Sequence, residues 1–114
     1  MQIYGTRKCN LTKKAERFFR DRGIQYHFVD LTEHTLSKGE LDNIRRGIPQ
    51  AESLINTESP AFKKRGMIYM DYNEAEEILA DPLLLRTPVV REGSRVFIGD
   101  NEAAWKALSN KSKG

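Results

Sequence analysis

Cysteine is almost missing from this sequence: Cys9 is the only one in 114 residues. That scarcity excludes an internal disulfide framework and a structural zinc site built from several thiolates, so redox work by the chain needs a thiol from outside. Histidine is nearly as rare. His27 alternates with Tyr26 and Phe28 in a strand-like run, which favours a structural role, and His34 lies in a polar stretch. Neither has a partner at metal-ligand spacing, and no metal is expected. No apolar run approaches the roughly 20 residues of a membrane span. The opening Met1-Gln2-Ile3-Tyr4 reads as a strand, without the succession of charged, apolar and small residues of a secretory signal, so cytoplasmic residence is the expectation. Charge of one sign is missing too. The 19 basic residues are interspersed with 16 acidic ones for a net charge of +3, which argues against nucleic-acid binding. Repeats and low-complexity stretches are absent.

What remains suits one compact domain over residues 1–114. Ile3 and Tyr4 lead through Gly5 into a loop, Thr6 to Asn10, and then into a segment from Leu11 to Arg22. Leu11, Ala15, Phe18 and Phe19 share one face there, and Lys13, Lys14, Arg17, Arg20 and Arg22 supply most of a charged one. The spacing predicts a helix that Gly23 stops. Tyr26 to Val29 follows as a strand, completing a right-handed βαβ unit with parallel neighbouring strands. From Leu31 to Leu85 the pattern turns helical. Ser37 and Glu40 form a capping box, a short helix is expected over Glu52 to Ile55, Pro60 opens another, and Asn73 caps a fourth segment that Asp81-Pro82 ends. Pro88 to Arg91 and Arg95 to Ile98 then read as an antiparallel hairpin turning at Glu92-Gly93-Ser94. Asn101 caps a final helix through Trp105, with fraying expected from Asn110 onwards. The order βαβ, helices, ββα is the plan of a thioredoxin-like α/β fold. It predicts a mixed four-stranded sheet built from residues 1–30 and 83–110, with 31–82 as a mostly helical insertion.

This order places Cys9 at a helix N-terminus. A thiol is a strong nucleophile only as thiolate, and an ordinary cysteine with a pKa of about 8.5 is mostly protonated at neutral pH. Unpaired amides and the positive dipole end of the helix lower that value, with Arg7, Lys8, Lys13 and Lys14 expected to add cationic charge. The same amides suit an oxyanion, with Asn10 and Thr12 as further donors. Arg86-Thr87-Pro88 is the second informative place. A proline at the entry to the third strand, facing the cysteine loop, is often cis in such domains and holds a backbone edge open for a thiol-bearing substrate. Arg86 is then expected to turn its guanidinium toward the sulfur.

With Tyr4-Gly5, Lys8-Cys9, Thr12 to Ala15, Leu54 to Thr57, Arg86 to Val90 and Ile98-Gly99 in place, the chain resembles the ArsC/Spx family of arsenate reductase-related proteins nearly end to end. Within it, the run Cys9 to Ala15 is most similar to the YffB-like subgroup. The resemblance implies a monothiol oxidoreductase with no bound cofactor, glutathione as co-substrate, and glutathione or glutaredoxin as reductant. Cys9 would be the nucleophile and Arg86 an assisting cation, with Asn10, Thr12, Lys13, Thr87 and Pro88 around the substrate. Two further arginines assist arsenate reductases of the family, and here those positions hold Asn56 and Asp100, which weakens the expected oxyanion site. The resemblance also implies an alternative, a regulatory protein of the Spx type that binds RNA polymerase or another protein partner. That branch commonly carries a second cysteine three residues after the first, where this chain has Thr12. In either role the chain is expected to be a monomer.

Overall fold

The computed structural model describes residues 1–113, with side chains to residue 110. Strand β1 (Gln2–Gly5), helix α1 (Asn10–Asp21) and strand β2 (His27–Asp30) form the opening unit, and β1 and β2 are parallel neighbours. Helix α1 ends as its sequence predicts. Gly23 takes a positive φ of 69°, its N–H bonds the Arg20 carbonyl at 3.0 Å, and the Ile24 N–H reaches back to Phe19 at 3.0 Å, which satisfies two carbonyls of the last turn.

Three helices follow, α2 (Lys38–Arg46), α3 (Pro60–Lys64) and α4 (Glu74–Ala80), with single 3-10 turns at Met67–Tyr69 and Pro82–Leu84. The capping box of α2 is complete: the Glu40 N–H donates to Ser37 Oγ and the Ser37 N–H to Glu40 Oε1, each at 3.1 Å. Ser59 and Asn73 cap α3 and α4 through their side chains.

Strands β3 (Val89–Glu92) and β4 (Arg95–Ile98) form the hairpin, and α5 (Glu102–Lys113) closes the fold with Asn101 Oδ1 accepting from the Ala104 N–H. The helix continues past Asn110, where fraying was expected, to Lys113; Gly114 lies outside the described residues. The sheet order is β2-β1-β3-β4, with β3 antiparallel to β1 and β4 antiparallel to β3. Alternation along the strands separates two cores. Ile3 and Val90 face Ala15, Phe19, Trp105 and Leu108 of α1 and α5. Tyr4, Val29, Val89 and Val96 face Leu41, Ile44, Leu54 and Ile78 of the helical segment. Each fully buried large side chain contributes about 1.5–3 kcal/mol, so both faces anchor the sheet.

The helix expected over Glu52 to Ile55 is not formed. Glu52 ends a turn, its N–H on the Pro49 carbonyl at 2.9 Å, and the residues after it run beside the end of the Pro82 turn: the Arg86 N–H bonds the Leu54 carbonyl at 2.7 Å, the Asn56 N–H bonds the Leu84 carbonyl at 2.8 Å, and Ile55 bridges Leu85. Four residues are too few to nucleate a helix unaided. Leu54 and Ile55 are both buried, and a neighbouring strand-like segment supplies the backbone partners that a helix would have supplied. His27 opens β2, in the strand-like run expected for it, with its backbone in the sheet and its ring exposed.

Candidate functional site

Cys9 is the N-cap of α1, with extended backbone (φ −82°, ψ 116°). Its N–H bonds the Thr6 carbonyl at 3.2 Å and its carbonyl accepts the Lys13 N–H at 3.1 Å, so the loop and the first helical turn hold the residue from both sides. From across the sheet, the Thr87 hydroxyl donates to Sγ at 3.2 Å. The next peptide bond, Thr87–Pro88, is cis. β3 runs antiparallel to β1, which brings its entry opposite the loop that leaves β1, and the two sequence motifs meet there.

Burial pushes the half-buried thiol up, but the Thr12 hydroxyl, the Thr87 hydroxyl and the backbone N–H groups of Thr12 and Leu11 outweigh it and hold Cys9 below its ordinary pKa. Thr12 is wholly buried, and its Oγ1 has no partner at full hydrogen-bond geometry.

The α1 amides lower the thiol as expected, but no cation does; the hydroxyls of Thr12 and Thr87 act where Arg7, Lys8, Lys13 and Lys14 were expected to. Arg7 leans away, 3.7 Å from Asp30 and over the Phe28 ring. Lys14 is drawn to Asp100 and Glu102, each at 2.9 Å, linking the starts of α1 and α5. Lys8, Asn10 and Lys13 are exposed around the loop. Arg86 does not turn to the sulfur as expected. Its guanidinium donates to Glu52 at 3.2 Å and to the Ser53 carbonyl at 2.9 Å, and among the described residues no hydrogen bond joins it to Cys9. The Glu52–Ile55 segment explains this, since it sets a carboxylate and a carbonyl beside strand-entry residue 86. Glu52 is thus a site residue that sequence reasoning missed, and no local signal marks a partner 34 positions away. Gly5 is another: its missing side chain makes room for Thr12.

Among the described residues no three His, Cys, Asp or Glu side chains gather in a way that could hold a metal ion. No helix among them is long and apolar enough to cross a membrane.

Residues 4–108, a span that takes in Cys9, Thr12 and Arg86-Thr87-Pro88, match the model of the ArsC family. The chain belongs to the ArsC family. Among relatives of this ArsC-family protein is global transcriptional regulator Spx 2 of Oceanobacillus iheyensis, 28% identical over 107 residues that cover 90% of this chain and 78% of that one. Among solved structures, a YFFB protein superposes with a TM-score of 0.79 at 24% identity, covering 93% of this chain and 96% of its own, which establishes the shared thioredoxin-like fold. An arsenate reductase (ArsC) related protein from Brucella melitensis is 30% identical with a TM-score of 0.65, covering 93% of this chain and 91% of that chain.

Proposed function

We propose that this ArsC-family chain is a thiol-dependent oxidoreductase that uses Cys9 as its single nucleophile on sulfur electrophiles, with glutathione or glutaredoxin as the second thiol. The observation that carries it is the Thr87 hydroxyl 3.2 Å from a half-buried Sγ at the start of α1. In the first step the Cys9 thiolate attacks one sulfur of a glutathione mixed disulfide. The S–S bond breaks, the substrate thiolate leaves, and Cys9 carries a glutathionyl group. A second glutathione thiolate then attacks that adduct, giving oxidised glutathione and restoring the Cys9 thiolate. Thr12, Thr87 and the α1 amides stabilise the sulfur whenever it carries charge, and Pro88 and the Thr87 backbone flank the incoming sulfur. Asn10 and Lys13, exposed on the first turn, face the substrate's polar groups.

Arsenate is supported less well as the electrophile. Of the three arginine positions that the family resemblance implies, Asn56 holds its own turn through the Glu58 N–H at 2.9 Å, Asp100 is a carboxylate, and Arg86 is already paired. A desolvated arsenate would meet too few free cations.

A titration of Cys9 alkylation against pH tests the proposal. The expected apparent pKa lies below 8.5, with a single glutathionyl adduct on Cys9 after exposure to oxidised glutathione. An apparent pKa at or above about 8.5 together with no adduct overturns it.

One observation favours a second reading, a regulatory module that binds a protein. Ile68 and Tyr69 are 74% and 92% exposed, beside exposed Met70 and Tyr72, in the insertion. Partner capture that persists in Cys9→Ser but is lost in Ile68→Lys supports it; capture that needs the thiol supports the oxidoreductase.

A further inference from the structure

At the end of the sheet remote from Cys9, the last turn of α2 approaches the β3–β4 hairpin closely. Gly47 makes this possible: a Cβ there would lie 2.5 Å from Val96 Cγ2 and 3.2 Å from the Ser94 carbonyl oxygen. Beside that contact is a cavity of about 250 Å³ lined by Asn43, Arg46, Arg91, Gly93 and Ser94. Two arginines, a carboxamide and a hydroxyl residue from separate elements therefore surround one hollow, and no carboxylate lines it.

Among the described residues Arg46 and Arg91 make no ion pair with a carboxylate; Arg17, Arg20, Arg22 and Arg95 make none either, but Arg46 and Arg91 share one hollow. Arg91 gives its Nε–H to the Gly93 carbonyl at 3.2 Å, and its guanidinium also lies beside the Tyr4 hydroxyl. Three opposing charges bear on the site: Asp42, one turn before Arg46 on α2, lines a neighbouring hollow with it but makes no ion pair with it. The C-terminal carbonyls of α2 would repel an anion, but those of Ile44 and Arg45 already accept the Gly47 and Ile48 N–H groups, each at 3.2 Å. Glu40 lies beyond the buried Tyr4 phenol, 3.5 Å from it, and already accepts from the Ser37 N–H.

We infer that this cavity is a binding site for a small phosphoryl anion, held by the guanidinium forks of Arg46 and Arg91 with Asn43 and Ser94 as neutral donors. Planar forks match tetrahedral oxyanions in pairs of hydrogen bonds, which is why arginine and not lysine suits the task. The volume falls below the roughly 300–1,000 Å³ of sites for drug-sized ligands, so it fits a phosphate or a phosphomonoester head. Arg91 lies opposite Gln2 at the start of β1 and Cys9 follows the end of that strand, so the site is distinct from the thiol and the inference is independent of the chemistry proposed there.

The test follows amide shifts at constant ionic strength as inorganic phosphate or glycerol 3-phosphate is added, with chloride as control. Saturable shifts at Arg46, Gly47, Gly93 and Ser94 are expected, unchanged in Cys9→Ser and weakened about tenfold or more in Arg46→Gln and Arg91→Gln. Tighter binding of the ester than of phosphate identifies a phosphorylated metabolite as the occupant; equal binding identifies the free anion. Shifts confined to Asn10 to Thr12, or a titration identical in wild type and the Arg46→Gln/Arg91→Gln double variant, overturn the assignment. Arg46 is exposed and Arg91 half-buried, and the melting curve of the double variant verifies that it is folded, so a lost response reads on binding.

Discussion

Gly5, the last residue of β1, stands so close to Thr12 that a Cβ there would overlap the threonine hydroxyl and lie 2.5 Å from its methyl carbon. Strand end and helix start interlock through that missing atom. Gly5→Ala is expected to cost about 1–3 kcal/mol, as overfilled cores do, because Thr12 is wholly buried and has nowhere to go. It also moves the hydroxyl beside the sulfur, so urea denaturation and the alkylation pH profile of Cys9 should both change. A variant as stable as wild type, with an unchanged profile, would show that the two residues are not coupled.

Removing the hydroxyls themselves separates electrostatics from packing. Thr12→Val and Thr87→Val keep the shape and delete the donor, and each is expected to move the alkylation midpoint to higher pH. The sign for stability follows from the lowered thiol. A group whose folded pKa is depressed adds stability that is fully present above its unfolded pKa, about 8.5, and is lost as pH falls through the folded pKa. Wild type should therefore gain stability, relative to Cys9→Ser, as pH rises toward 8.5, and the double valine variant should gain less. Chemical denaturation at several pH values reads this out.

The core elements were legible in the sequence because their signals are local. Period-2 runs, Ser37 and Glu40 three apart, Gly23 after a helical face and Asn101 before one each settle within a few residues. So was the meeting of Cys9 with Thr87-Pro88, since a βαβ start and an antiparallel hairpin bring those loops together. The electrostatics were not legible. Arg7, Lys14 and Arg86 read as a cationic ring around the sulfur, yet Asp30, Asp100, Glu102 and Glu52 claim them from other parts of the chain. Side-chain pairing at long separation carries no periodic trace. Glu52 escaped for the same reason that its segment was misread as a helix: the backbone partners at Leu84 and Arg86 are tertiary.

Acid should act first on α2. Burial raises the Glu40 carboxyl, but the Ser37 N–H and the His34 ring outweigh it and hold it below its ordinary range. The stability this contributes is present above the unfolded value, about 4.3, and disappears as pH falls through the folded one. Glu40→Gln retains an acceptor for the Ser37 N–H without the charge, so the gap between wild type and variant should narrow as pH drops below about 4. Ser37→Ala, which removes the cap at every pH, should cost about 1 kcal/mol throughout. Thermal melts of the three proteins between neutral and acid pH check both statements, and a constant gap for Glu40→Gln would refute the first.

Glu52 decides what Arg86 can do for the thiol. While the guanidinium donates to the Glu52 carboxylate and the Ser53 carbonyl, its charge is largely cancelled at the mouth of the site. Glu52→Gln keeps the size and an acceptor oxygen but leaves the cation uncompensated, and a half-exposed pair of this kind adds little to folding, so the variant should stay folded. The expected consequence is selective. Reaction of Cys9 with an anionic disulfide reagent should quicken several-fold relative to a neutral one, and added salt should erase the difference, because screening acts on the anionic reagent alone. Asp100→Arg makes the parallel case at the other side of the loop, where it trades the Lys14 pair for a new cation. If both variants react with the two reagents in the wild-type ratio, neither position faces the sulfur's incoming partner, and the selectivity of this site lies in the first turn of α1 and not in its surrounding charges.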